Sequence, residues 1–153
     1  MKIMDILVRD AVILDLASES KDDVLSEMAN SLARAEPSIE ADRLIDVLRD
    51  RENLQSTGIG EGVAIPHGKM PGLERLMASF ARSVNGIDFA SIDGQATRLF
   101  FLLVVPEHSG GQHLKALARI SRFFRDPGFR ERLENASSLE DIFKCIEEED
   151  AKF

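Results

Sequence analysis

Tryptophan and tyrosine are both missing from this chain of 153 residues, and cysteine occurs once, as Cys145. A single cysteine excludes an internal disulfide framework and any multi-thiolate metal site. A lone thiol fits a reducing compartment. Basic residues are also scarce relative to acidic ones: 19 Lys and Arg against 27 Asp and Glu leave a formal charge of −8. That balance argues against nucleic acid, which requires a basic face to release counterions from phosphates, and against docking on anionic lipid. Long apolar stretches are lacking too. The longest strictly apolar run is Leu99 to Val105, far too short to span a bilayer. The N-terminal MKIMDILVRD places acidic residues where a secretory signal would carry its apolar stretch. The expectation is a cytoplasmic protein without membrane insertion. Hydrophobic residues make up 44% of the chain, enough for a core at this length. One domain is expected over residues 1–153, with its core at about 5–147.

The apolar spacing divides the chain into elements. Ala11 to Leu16 reads as a short strand or extended lead-in. Val24, Leu25, Met28, Leu32 and Ala33 repeat at helical spacing up to Pro37, after helix-start signals at Ser18 to Asp22. A second helix is expected over 39–52, with Leu44, Ile45 and Leu48 inward. The Gly-rich Ser56 to Gly62 reads as a loop, and Val63 to Ile65 as a short β-branched run cut off by Pro66. Leu73 to Val84 reads as a strand, and Arg98 to Val105 as a strand buried on both faces. A third helix is expected over 112–125, with Leu114, Leu117, Ala118, Ser121 and Phe124 on one face. A short helix near 129–133 and a last one over 138–146 follow, the latter started by Ser138 with Asp141 three residues on. The acidic EEED near the C-terminus reads as solvated. This order suggests a layered α/β domain with helices covering a mixed sheet.

Histidine is the scarce chemical resource: His67, His108 and His113. The segment STGIGEGVAIPHGK, residues 56–69, holds the first. Its Gly58-x-Gly60-x-Gly62 pattern is neither a dinucleotide fingerprint nor a phosphate loop. It reads as a flexible connector, or as backbone held close to something small. His67 sits between Pro66, which stiffens the chain, and Gly68, which frees it. The reading is a positioned ring or a plain loop histidine. A metal is disfavoured, because no H-x-H or H-x-x-x-H spacing and no second cysteine supplies partners. His113 lies at a helix start, where free N–H groups favour anions and disfavour imidazolium. Arg51 falls three residues after Leu48 and seven after Leu44, at a helix end that favours a cation; it either compensates the dipole or reaches a bound anion. With the hydroxyls of Ser56 and Thr57, these form a possible phosphate-handling set. His108 reads as an exposed bystander.

STGIGEGVAIPHGK, Arg51 placed 16 residues before His67, and the later QHLKAL helix together resemble the enzyme IIA domains of the fructose/mannitol group of the phosphotransferase system, and most of all their nitrogen-regulatory branch. The resemblance runs over nearly the whole chain. It implies a three-layer α/β/α fold with a mixed β-sheet of the enzyme IIA fructose/mannitol type, its active site in a shallow depression at one sheet end. It implies a phosphotransferase without cofactor or metal: His67 accepts a phosphoryl group from an HPr-type phosphocarrier, and Arg51 and His113 stabilise that group. Ser56 and Thr57 are expected to complete the phosphate contacts. The implied role is regulation of nitrogen- or potassium-related targets by phosphorylation state. The alternatives are a sugar-transport IIA passing phosphate to a fructose- or mannitol-type IIB, and a non-catalytic binding module of the same fold.

Overall fold

The computed structural model describes all residues from Met1 to Phe153. The helices are α1 (Ile3–Ile6), α2 (Lys21–Ala35), α3 (Ala41–Leu54), α4 (Gln112–Phe124), α5 (Pro127–Glu134) and α6 (Leu139–Lys152). The strands are β1 (Gly58–Gly60), β2 (Val63–Ala64), β3 (His67–Met70), β4 (Met77–Ile87) and β5 (Thr97–Pro106). No helix is long and apolar enough to cross a membrane.

β5 is the spine of a mixed sheet. β4 runs antiparallel along one side of it, β2 and β3 run parallel along the other, and β1 pairs antiparallel with β2. β2 aligns Val63 with Leu99 and β3 aligns His67 with Leu103, so both keep an offset of 36 residues. They are one strand interrupted at Ile65-Pro66, where proline supplies no N–H to the ladder. The Pro66 carbonyl still accepts from Leu103 N, at 2.9 Å.

The continuous apolar run of β5 is buried on both faces, as expected, and its period of two sorts it between two cores. Leu99, Phe101, Leu103 and Val105 pack with α1, α4, α5 and α6. Phe100, Leu102 and Val104 pack with α2 and α3. The architecture is therefore the expected three-layer α/β/α.

Several local expectations are corrected. Of the two readings of Ala11 to Leu16, the extended lead-in holds and the regular strand does not. The chain runs along β4 through isolated bridges at Leu7 and Ile13, broken by a 3-10 turn at Arg9–Ala11. The glycine-rich segment is not wholly loop, since Gly58–Gly60 forms β1. What it approaches closely is its own chain: a Cβ at Gly58 would meet Ser91 Cα at 3.0 Å, and one at Gly60 would meet Asp93 Oδ2 at 3.1 Å. On α4 the core face is Ala116, Ile120, Phe123 and Phe124, while Leu114 is 62% exposed. The expected stripe was rotated by about one position because the helix carries a second, partly open apolar edge. The acidic tail is not solvated as a whole. It continues α6 to Lys152, with Glu149 and Asp150 buried. Asp150 accepts from the backbone N–H groups of Ile3 and Met4 at 2.9 Å each and pairs with Arg119 at 3.0 Å. Glu149 pairs with Arg132 and Lys152. Packing thus extends beyond 5–147 at both ends, because these charges find partners that local periodicity does not reveal.

Candidate functional site

A cleft of about 510 Å³ opens beside the edge formed by β3, between the C-terminal turns of α3 and the first turns of α4. Three elements build it. β3 contributes His67, Gly68 and Lys69. α3 contributes Val47, Asp50, Arg51 and Leu54, spaced i, i+3, i+4 and i+7 on one helix face. α4 contributes His113, Leu114 and Leu117, and Leu103 and Val105 of β5 form the floor. The off-core edge of α4 is thus the apolar wall of this cleft.

The strand register explains why His67 arrives here. His67 lies opposite Leu103, and alternation along β3 sends Gly68 toward α3. Gly68 does not free the chain as expected, for its φ is not positive. Its role is space: a Cβ there would sit 2.4 Å from Val47 Cγ1, so only glycine lets α3 lie against the strand.

The His67 ring is half-buried, and its Nδ1 lies 2.8 Å from the Ile65 carbonyl oxygen. A carbonyl only accepts, so Nδ1 carries the hydrogen and the neutral ring keeps its lone pair on Nε2. Burial, more than any other cause, holds the His67 pKa below its ordinary value. The charges of Arg51 and His113 push the same way, while the Ile65 carbonyl and Glu52 push back. Arg51 donates from Nη1 to the carbonyl of Gln55 at 2.7 Å, across the end of its own helix. It therefore satisfies a free helix carbonyl and lines the cleft at once. His113 Nδ1 lies 3.1 Å from the Gly110 carbonyl and 3.3 Å from Ser109 Oγ.

Of the residues singled out in the sequence, His67, Arg51 and His113 share this cleft and Ser56 and Thr57 do not. The Ser56 hydroxyl donates to the Phe89 carbonyl at 2.8 Å and accepts from Gly58 N at 3.0 Å. Thr57 is buried, and its N–H and hydroxyl both donate to Glu52. Both hydroxyls are engaged within the chain here, and neither residue lines the cleft where the phosphate contacts were expected. His108 lies apart, at a separate cavity with Asp5, Glu74 and Arg75. Sequence reasoning missed Lys69, Asp50 and the apolar rim. Lys69 could have been found two residues after His67 on the same strand face, and Asp50 one helical step from Val47.

Comparison with known proteins agrees with the fold. The chain is 41% identical over 146 residues to a nitrogen regulatory protein of Bradyrhizobium diazoefficiens, covering 95% of each. It is 34% identical over 150 residues to the fructose-specific EIIABC component of the Bacillus subtilis phosphotransferase system, covering 98% of this chain and 24% of that one. The crystal structure of nitrogen regulatory protein IIA-Ntr from Neisseria meningitidis superposes with a TM-score of 0.88 at 35% identity, covering 94% of this chain and 98% of that one. The family model for the phosphoenolpyruvate-dependent sugar phosphotransferase system, EIIA 2, matches residues 5–149. With that match over most of its length, the chain belongs to the EIIA 2 family of the phosphotransferase system.

Proposed function

We propose that this protein is a phosphohistidine carrier whose Nε2 of His67 accepts a phosphoryl group from a phosphohistidine on an HPr-type carrier. The observation that carries the reading is the His67 tautomer. The hydrogen bond to Ile65 leaves Nε2 as the bare nitrogen, in a cleft shared with Arg51 and His113. In the transfer, the Nε2 lone pair forms the new N–P bond as the donor's N–P bond breaks, and the donor imidazole leaves with the bonding pair. Such a step needs in-line positioning and charge stabilisation rather than covalent help. Arg51, moving off the Gln55 carbonyl, meets the equatorial oxygens as a charged donor. His113 has two tautomers available. The Gly110 carbonyl at 3.1 Å favours the hydrogen on Nδ1, whereas a turn of Nδ1 to the Ser109 hydroxyl as acceptor leaves the hydrogen on Nε2, where it can hydrogen-bond a phosphoryl oxygen.

The regulatory branch is favoured over sugar transport by two relatives matched along nearly their whole length at 41% and 35% identity, both nitrogen regulatory proteins. Phosphorylation adds about two negative charges to the cleft and so changes what docks there. Nitrogen- or potassium-related targets are the proposed readers of that change.

Incubation with a phosphorylated HPr-type carrier tests the reading. Wild-type protein gains one acid-labile phosphate and His67→Ala gains none; normal labelling of that variant defeats the proposal. Arg51→Ala and His113→Ala slow labelling by about tenfold or more without abolishing it. Efficient onward transfer to a fructose- or mannitol-type IIB would move the protein to the transport branch.

A further inference from the structure

Glu52 is a buried carboxylate in the last turn of α3, 7% exposed. That end of a helix carries the negative pole of the dipole, so an acidic side chain is disfavoured there twice, by burial and by the dipole. Such local conflicts collect where function requires them. Glu52 is compensated by a full set of donors. Lys21 Nζ pairs with Oε1 at 2.9 Å, Thr57 N–H reaches both oxygens at 3.0 and 3.2 Å, and the Thr57 hydroxyl donates to Oε2. Lys21 is itself held over the Phe89 ring, 4.7 Å from its centroid.

The bonds continue beyond Thr57. Its carbonyl accepts from Ile65 N at 3.0 Å, and the Ile65 carbonyl accepts from His67 Nδ1 at 2.8 Å. The contacts Lys21–Glu52–Thr57–Ile65–His67 thus follow one another residue by residue, so the clamp on Thr57 holds the Ile65 backbone, and with it the carbonyl that His67 meets, in place. The same clamp fixes the 55–57 turn, whose Gln55 carbonyl holds Arg51.

We infer that Glu52, anchored by Lys21, is a positioning residue for the phosphoryl transfer: through Thr57 and Ile65 it fixes the Nδ1–H tautomer of His67 that bares Nε2, and through the 55–57 turn it places Arg51. This rests on His67 being the acceptor. Glu52 does not line the cleft and touches no reacting atom.

Nitrogen-15 NMR of the His67 ring, together with labelling rates from a phosphorylated HPr-type carrier, tests it. In wild type the ring is in the Nδ1–H form. In Glu52→Ala the Nε2–H form gains population and transfer slows by about tenfold or more, the range expected when a reacting group is misplaced. Glu52→Gln keeps the shape and one acceptor oxygen for Thr57, so it falls between wild type and Glu52→Ala in both readouts. It carries the test alone if Glu52→Ala does not fold. An unchanged His67 ring spectrum in every folded variant overturns the inference. Failure of the acceptor reading looks different: wild type then takes no label at His67, while the ring spectra of the variants still decide what Glu52 does.

Discussion

At the scale of single residues, the proposed transfer rests on which nitrogen of His67 is bare and on the protonation of that ring. Burial, aided by the charges of Arg51 and His113, lowers its pKa. In the window between the lowered folded value and about 6.5, the unfolded chain binds more protons than the native one, so stability rises with pH there. Acidification from neutrality therefore removes stability once the pH passes below about 6.5, and the loss is complete below the folded pKa. Acceptor activity should stay flat from neutral pH down past 6.5 and fall only at the lower folded value. Labelling rates measured across pH 4.5–8, with carrier phosphorylation controlled, check this; a midpoint at 6.5 or above contradicts it. The motif around His67 was legible from residue types alone. The partners of the Ser56 and Thr57 hydroxyls were not legible for a physical reason: a hydroxyl near a glycine turn is as readily bonded within its own chain as offered to a ligand. Only partner atoms distinguish the two, and here the partners are Phe89 and Glu52.

Among elements, the decisive contact is α3 against β3. Gly68→Ala would drive a methyl into Val47, so α3 must shift and carry Arg51 with it. The variant should lose about 1–3 kcal/mol in urea denaturation, the usual cost of overpacking. It should also slow phosphotransfer. Val47→Ala opens the space, so the double variant should recover most of the stability lost by Gly68→Ala; additive losses would refute the contact as the cause. The periodicity of α2, α3 and β5 was readable in advance because each buries its repeat against one neighbour or two symmetric ones. α4 was misassigned by about one position because it serves both a core and a cleft. A one-dimensional apolar pattern cannot tell which of its edges is open.

For the molecule as a whole, the ends of the chain are tied together and β4 is braced against the helical layer. Asp150 satisfies the first N–H groups of α1 and pairs with Arg119, itself mostly buried. Asp150→Ala removes that cap and leaves the guanidinium without its carboxylate, so about 2–4 kcal/mol should be lost, measurable by urea or thermal unfolding. A loss under about 0.5 kcal/mol would show the pair to be inconsequential. Arg82 braces the opposite end of the sheet. From β4 it donates to the carbonyls of Leu133 and Glu134 at the end of α5 and to Leu14 in the N-terminal lead-in, each at 3.1 Å. Asp150 and Arg119 are 31 positions apart and the other bonds of both ties span more than 50, beyond the reach of any window of local pattern.

What the sequence alone determined is the set of elements that depend on neighbouring residues: the amphipathic α2 and α3, the two-sided apolar β5, and a glycine-rich motif ending on a stiffened histidine. Turn, cap and periodicity preferences act over a few residues and are written there. Tertiary structure alone decided that β2 and β3 are one interrupted strand, and that Arg51, His67 and His113 meet in one cleft. It also decided that the acidic tail is built into the core. Each of these outcomes comes from long-range packing, in which a register set by β5 and a missing Cβ at Gly68 fix positions that no local preference specifies.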